Sequence, residues 1–183
     1  MKFVTSCILC ISFCFCCYGQ KQNYKLQIDS LKTVEAMPYI PDLSGDDAFW
    51  NLTKGKLDIV PYLIGRITDT TSTAAYVPNF GGLYTIGDAS VSALQEIIRD
   101  FPTIKLIESD PRLLKEKAYG IYWEYVRSDF KNRIEFQRRA RAWYEKNKRN
   151  LTWQPDDKLY ATSDDENGET KKKPAGGYYV LKK

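Results

Sequence analysis

The chain has 183 residues, and its 27 lysine and arginine residues against 23 aspartate and glutamate residues give a formal net charge of +4. A charge this small does not indicate a nucleic-acid partner, and we expect none. All five cysteines lie within residues 1–17 and no histidine occurs, so a mature chain without this segment would lack the groups that cysteine or serine–histidine catalysis and common zinc sites need.

Residues 1–19 have the composition of a signal peptide. Lys2 supplies a positive charge, and an apolar stretch follows over residues 3–17. Cys17 and Gly19 then stand at the two positions where signal peptidase requires small residues, which predicts cleavage before Gln20.

Two alternatives to a cleaved signal fit the sequence less well. The apolar stretch is shorter than the ~20 residues that cross a bilayer, which disfavours a membrane anchor. A lipoprotein signal needs a small residue directly before the modified cysteine, whereas bulky Phe13 precedes Cys14. We therefore expect an exported protein, periplasmic or extracellular, with no transmembrane span in its mature form.

Residues 20–43 are polar and poorly periodic, and Pro38 interrupts any helix there, which predicts a flexible N-terminal arm. A helical domain is expected to follow over residues 44–153. Its first helix should have a cap at Ser44 and stop at Gly55.

A second helix should run from about Asp58 to Thr68, because Pro61 is tolerated only in the first turn of a helix. The side chains expected to turn inward are Ile59, Tyr62, Leu63 and Ile67.

Residues 69–84 form a segment that is too long and too aromatic for a simple connector. Loops of this length in compact domains are more often functional or packed than idle. The candidate binding residues in it are Tyr76, Asn79, Phe80 and Tyr84. The alternative is that Phe80 and Tyr84 only cover the core, with Gly81-Gly82 forming a turn.

The clearest helix signal comes next, where Thr85 and Asp88 have the spacing of a capping box. The apolar positions that follow at helical spacing are Ala89, Ala93, Leu94 and Ile97. Because Asp88 would help to cap this helix, we expect Asp88→Ala to cost about 1 kcal/mol of stability. Residues 103–108 alternate loosely and predict a short strand or a buried connector.

Two more helices are predicted further along. One begins at Asp110-Pro111, a cap followed by proline, and its inward face comprises Leu114, Ala118, Ile121 and Tyr125. The other runs from about Asp129 to Lys148, and its inward side chains are Phe136, Ala140 and Trp143.

The stretch from Arg127 to Arg149 contains nine basic residues against three acidic ones. An excess of this size can hold phosphate, anionic glycans or lipid headgroups, so Arg138 and Arg141 are candidate anion contacts. The alternative is an ordinary solvated helix face.

Residues 154–183 become rich in Asp, Lys, Gly and Ser, which predicts a polar loop with a strand-like tail. The strand should follow Gly176-Gly177 and include Tyr178 to Leu181. We expect it to pair with residues 103–108.

Residues 57–98 resemble a HEAT-like helical repeat. The first helix and turn are similar over Ile59-Val60-Pro61-Tyr62-Leu63-Ile64 and Thr68-Asp69, and the second helix over Gly87-Asp88-Ala89 and Ala93-Leu94-Gln95-Glu96-Ile97. The aromatic segment is inserted between the two helices. HEAT-like folds imply binding surfaces.

The whole chain also resembles small exported proteins of Bacteroidota. Asp29-Ser30-Leu31 and Asp69-Thr70-Thr71 resemble the O-glycosylation triplets of that phylum. This resemblance agrees with the predicted export signal.

We therefore expect a mainly α fold, a compact multi-helix HEAT-like domain with a small C-terminal β element. The predicted function is a non-catalytic binding or scaffolding protein of the bacterial cell envelope, with a protein or an anionic envelope component as its partner. No cofactor, metal site or catalytic residue is expected. The alternative is an envelope hydrolase that uses a Ser/Lys pair or carboxylates such as Asp69, Asp88, Glu96 and Glu124.

Overall fold

Among the residues that the structure describes, more lie in helices than in strands, and the predicted mainly α class is confirmed together with small β elements. The computed structural model describes residues 23–38, 45–107, 120–161 and 170–182. The α-helices there are α1 (Tyr24–Asp29), α2 (Asp47–Thr53), α3 (Lys56–Gly65), α4 (Ile86–Ile97), α5 (Thr103–Ile107) and α6 (Phe130–Asn147). Short 3-10 turns cover Ser30–Thr33 and Lys148–Asn150, and a π-helix covers Tyr122–Val126.

The strands of the described residues pair as antiparallel two-stranded ribbons. These are β1 (Ser72–Tyr76) with β2 (Leu83–Thr85), β3 (Leu151–Pro155) with β6 (Gly177–Leu181), and β4 (Leu159–Ala161) with β5 (Thr170–Lys172). None of the helices in the described ranges is both long enough and apolar enough to span a membrane.

Helix α4 lies at the centre of the core, where it contacts α1, α2, α3, β2 and β6. The predicted stripe of Ala89, Ala93, Leu94 and Ile97 is buried, and Thr85 and Asp88 form both hydrogen bonds of the predicted capping box. Close approach at its first turn requires glycine, because a Cβ on Gly87 would lie 2.3 Å from the carbonyl oxygen of Ile67. The sequence prediction for this helix is therefore confirmed in detail.

Within the N-terminal segment predicted to be a flexible arm, residues 23–38 differ from the expectation. They form α1 and a 3-10 turn, and Ile28, Leu31 and Val34 are buried in the core. The three-residue spacing of these side chains matches a helix that tightens into a 3-10 turn, a pattern that a search for longer helical periods does not detect. The described part of the arm is thus a packed element.

Helix α2 agrees with the predicted helix, but its N-cap is Asp46, and the cap expected at Ser44 lies outside the described residues. The carboxylate of Asp46 accepts hydrogen bonds from the backbone N–H groups of Glu35 and Ala36. This contact connects the start of α2 to the N-terminal segment.

Helix α3 begins at Lys56, two residues before the predicted start, so that Pro61 lies inside the helix and beyond its first turn. Proline has no N–H to donate to the carbonyl four residues earlier, which belongs to Leu57. The hydroxyl of Tyr144 on α6 donates to that carbonyl instead, at 3.1 Å. A side chain from another helix thus replaces the hydrogen bond that proline removes.

The inward side chains predicted for α3 are confirmed at Ile59, Leu63 and Ile67, which are buried. The prediction that Tyr62 turns inward is wrong. Its side chain is exposed, and its ring packs beside that of Tyr24, with 5.4 Å between the ring centroids. The reason is helical geometry. Ile59 and Leu63 lie on the buried face of α3, and Tyr62 lies at the edge of that face, where solvent can reach it.

The aromatic segment of residues 69–84, expected to be a loop, contains β1 and most of β2, which pair as a hairpin. Burial alternates along β1, with Thr73 and Ala75 buried and their neighbours exposed. A period of two is typical of a half-buried strand. The buried positions of β1 carry only the small side chains of Thr73 and Ala75, so the sequence shows no clear alternation of apolar and polar residues. The backbone N–H of Ala74 donates to the carbonyl of Val34, which joins the hairpin to the N-terminal segment.

Residues 103–107, expected to form a strand or a connector, form helix α5 instead. The helix start predicted at Asp110-Pro111 lies outside the described residues. Of the side chains predicted to face inward there, Ile121 is buried and directly precedes the π-helix, and Tyr125 within the π-helix is half-buried. Helix α6 agrees with its prediction, with Asp129 as N-cap. Its inward side chains Phe136 and Ala140 are buried, and the ring of Trp143 packs edge-on against Phe101.

The predicted C-terminal strand is confirmed as β6, but its predicted pairing with residues 103–108 is wrong. It pairs with β3, from Leu151 opposite Leu181 to Pro155 opposite Gly177, and Tyr179 forms an additional parallel bridge to Ile98. Strand β3 extends across the boundary expected between residues 153 and 154. The end of the helical domain and the tail therefore share one ribbon.

Candidate functional site

The predicted site residues of the aromatic segment all lie on the hairpin of β1 and β2 or in its turn. Tyr76 ends β1 opposite Leu83 on β2, and the two side chains are 64% and 40% exposed. Large apolar side chains that stand as a cross-strand pair in solvent form a small contact surface.

The turn of this hairpin has a defined backbone conformation. Asn79 adopts φ +65°, and Gly81 and Gly82 each adopt φ +74°. Asparagine and glycine are the residues that tolerate this left-handed region. Val77 donates its N–H to the carbonyl of Gly82 at 2.9 Å, and Gly81 donates to Val77 at 3.2 Å.

Phe80 and Tyr84, both half-buried, pack on Trp123 of the π-helix. The ring of Phe80 stacks on Trp123 with 5.7 Å between centroids, and the ring of Tyr84 meets it edge-on at 5.3 Å. Tyr84 is among the half-buried side chains that pack against the core, and Phe80 contacts Trp123. Of the predicted site residues on the hairpin, Tyr76 is the one with a ring largely open to solvent.

Arg127 attaches the hairpin to the core. Its guanidinium donates to the carbonyl oxygens of Gly81 at 3.1 Å and Leu83 at 2.7 Å, and lies 5.5 Å from the ring centroid of Trp123. Its Nε is 3.6 Å from Oδ2 of Asp88. A single side chain therefore links the backbone of the turn to a buried carboxylate.

Asp88 has donors on both carboxylate oxygens. Its Oδ1 accepts from Nη2 of Arg133 at 2.9 Å and from the hydroxyl of Tyr122 at 2.9 Å, and its Oδ2 accepts from the backbone N–H of Thr85 at 2.9 Å. Burial, and secondarily the charge of Asp88, raises the pKa of Tyr122 well above its usual value. Asp88 is therefore a buried carboxylate that connects α4 to the π-helix and to α6 through hydrogen bonds to both of its oxygens.

Three of the four carboxylates considered for a hydrolase have separate basic partners. Asp69 pairs with Arg66 at 2.7 Å, and Glu96 pairs with Lys173 at 2.7 Å, while Asp88 pairs with Arg133. Within the described ranges, no group of three or more acidic side chains is placed to hold a metal ion. The geometry gives these three carboxylates the role of ion-pair partners.

The two predicted anion contacts lie on α6 and not on the hairpin. Both are exposed, and Arg138 donates to the carboxylate of Glu135 at 2.8 Å and 2.7 Å through its Nε and Nη2. These hydrogen bonds, followed by one from Arg139, lower the pKa of Glu135 to about 2. Arg141 has no carboxylate partner among the described residues.

Sequence reasoning missed three residues that organise this region: Trp123, Arg127 and Arg133. Trp123 lies off the apolar stripe of the predicted helix, and both arginines were counted in a surface stripe. An arginine at a position that helical spacing places on the same face as Phe136 and Ala140 was the available signal for Arg133.

No protein-family model, curated protein or solved structure matches this chain.

Proposed function

We propose that this protein is an exported, non-catalytic binding or scaffolding protein of the bacterial cell envelope, located in the periplasm or outside the cell. Its first 19 residues support export, because a charge, an apolar stretch and small residues before Gln20 follow one another as in a secretory signal. Its resemblance to small exported proteins of Bacteroidota supports the same location. The proposed partner is a protein.

The proposal includes a HEAT-like pairing of α3 with α4. The two helices pack against each other, and the hairpin is inserted between them in the chain. In helical repeats of this kind, insertions between helices are frequent carriers of contact residues. In this proposal, α3 and α4 form the repeat-like helical unit, and the inserted hairpin carries the residues that contact the partner.

The exposed pair of Tyr76 and Leu83 on an anchored hairpin is the observation that carries this proposal. A tyrosine ring offers a large amphipathic contact area and is frequent among the residues that dominate binding energy. Arg127 binds the turn through backbone carbonyls, and Trp123 packs on the turn residue Phe80. Because the turn is already fixed by these contacts, little conformational entropy would be lost when a partner binds. Phe80 and Tyr84 act as supports for this surface.

Photocrosslinking in intact cells tests this proposal. We would incorporate p-benzoylphenylalanine in place of Tyr76 and, as a matched control, in place of Tyr62, which is 48% exposed on α3. We expect a discrete adduct with one envelope protein from position 76 and none from position 62. Leu83→Glu should abolish the adduct without lowering the thermal midpoint of unfolding, because it removes half of the exposed pair.

The same experiment can contradict the proposal. Identical adducts from both positions would indicate random collisions, and a position-76 adduct that survives Leu83→Glu would show that the hairpin pair is not the contact. No adduct from position 76 in cells that contain the folded protein would also reject it.

A further inference from the structure

One exposed row on helix α6 combines large apolar and basic side chains. Phe130, Ile134, Arg138 and Arg141 follow one another at spacings of four, four and three residues, which places them along a single face of the helix. Phe130 and Ile134 are 55% and 48% exposed, and both arginines are exposed. We call these four residues the α6 row.

The apolar half of the α6 row is unusual for a helix with so many charges. Isolated exposed apolar side chains are common, but here two of them are neighbours on consecutive turns. They lie outside the buried side of α6, which is formed by Arg133, Phe136, Ala140 and Tyr144. Packing within the described core therefore does not explain them.

The basic half of the α6 row adds a net positive charge to the same face. Lys131 lies beside the row, and neither it nor Arg141 has a carboxylate partner among the described residues. Glu135 is shared between Arg138 and Arg139, at 2.7 Å from each, so its single charge is more than balanced. A negatively charged surface would complement this face.

We infer that the α6 row docks on an anionic lipid surface, with Phe130 and Ile134 entering the headgroup region and Arg138 and Arg141 contacting lipid phosphates. Arginine suits this role because its planar donors match phosphate oxygens. A helix with bulky apolar side chains beside basic ones is the typical interfacial arrangement. A soluble polyanion would use the charges but not the apolar pair, so the whole row favours lipid.

The contact is peripheral, and it does not depend on the hairpin. Two apolar side chains and a few charges provide weak, reversible binding that decreases as salt screens the charges. Such a contact would keep the protein near a membrane surface while its hairpin remained available to a partner.

Vesicle sedimentation tests this inference with the purified native protein. One set of vesicles contains phosphatidylcholine alone, and the other contains phosphatidylcholine mixed with phosphatidylglycerol. We expect binding to the mixed vesicles only. Arg138→Gln combined with Arg141→Gln should lower the partition coefficient about 25-fold, taking about fivefold for each charge at an anionic surface. Phe130→Ser combined with Ile134→Ser should lower it at least about tenfold.

Two double variants elsewhere serve as matched controls. Lys25→Gln with Lys32→Gln removes two exposed charges from the N-terminal segment, and Leu26→Ser with Tyr62→Ser removes two apolar side chains that are 64% and 48% exposed. Both should leave the partition coefficient within about twofold of the wild-type value, because these positions lie outside the α6 row. Circular dichroism verifies that every variant is folded.

Several outcomes would overturn the inference. These are equal binding to both vesicle types, unchanged binding in either α6-row variant, or equal losses in the controls. Retention on heparin that requires the arginines but not Phe130 and Ile134, with no vesicle binding, would assign the charges to a soluble polyanion instead.

Discussion

Asp88 of α4 and Arg133 of α6 form a buried ion pair between residues 45 positions apart, with 2.9 Å between Oδ1 and Nη2. The two side chains are 0% and 2% exposed. Taking both charges out of water is costly, and the attraction between them offsets much of that cost only while both partners are present. We therefore expect the pair to orient α6 relative to α4 more than it adds net stability.

Breaking this pair should be far more harmful than losing the helix cap. We expect Asp88→Asn to lower the free energy of unfolding by about 3 to 5 kcal/mol, because the charge of Arg133 is left buried without its partner. This exceeds the ~1 kcal/mol expected from capping alone. Urea unfolding followed by circular dichroism measures the difference.

Thr85→Ala is the matched control for that variant. It removes the hydroxyl that accepts from the N–H of Asp88 at 3.1 Å but leaves the ion pair intact. We expect a loss of about 1 kcal/mol. Equal losses in Thr85→Ala and Asp88→Asn would contradict a structural role for the pair.

The hydrogen bond between Tyr144 and the Leu57 carbonyl should matter because of Pro61. Tyr144→Phe is expected to cost about 1 to 2 kcal/mol, since the carbonyl loses its replacement donor. In Pro61→Ala, the new backbone N–H can donate to Leu57, so the same tyrosine substitution should cost clearly less. A double-mutant cycle measures this coupling, and additive effects would argue against the compensation.

Tyr122 should influence stability at alkaline pH. Its raised pKa keeps it protonated in the folded chain at pH values where an unfolded tyrosine ionises, so its contribution is complete below about pH 10 and is lost as the pH rises further. We expect Tyr122→Phe to reduce the steepness with which the free energy of unfolding falls there. Tyr76→Phe, which removes a solvent-exposed hydroxyl, is the control, and an unchanged slope in Tyr122→Phe would oppose this assignment.

Glu135 should titrate at unusually low pH. Hydrogen bonds from Arg138 and then Arg139 lower its pKa to about 2, so the stabilising contribution is present above the ordinary value of about 4.5 and is lost as the pH falls toward 2. NMR of the side-chain carboxyl carbon can follow this titration. In Arg138→Gln combined with Arg139→Gln the midpoint should rise toward the ordinary value, and an unshifted midpoint would refute the pairing.

Helices α4 and α6 could be predicted from the sequence because their signals are local. A capping box, an apolar stripe and an aspartate cap each involve residues within a few positions of one another. The hairpin and the N-terminal segment were missed because Thr73 and Ala75 are small for strand residues, and because the apolar spacing of Ile28, Leu31 and Val34 is that of a 3-10 turn.

The candidate site could be predicted only in part. The sequence predicts candidate binding residues in the aromatic segment, and of these Tyr76 is largely exposed on the hairpin. The supports of the hairpin could not be derived, because Arg127 and Trp123 reach it across more than forty residues of chain. Counting charges also overstated the basic surface, since Arg133 is buried against Asp88.

The central claim is that this protein reaches the cell envelope and acts there by binding. Intact-mass analysis of the native protein after cell fractionation tests this claim most directly. We predict a soluble or peripherally bound envelope species that starts at Gln20 and lacks residues 1–19. Recovery of the protein from the cytoplasmic fraction with those residues still attached would contradict the account.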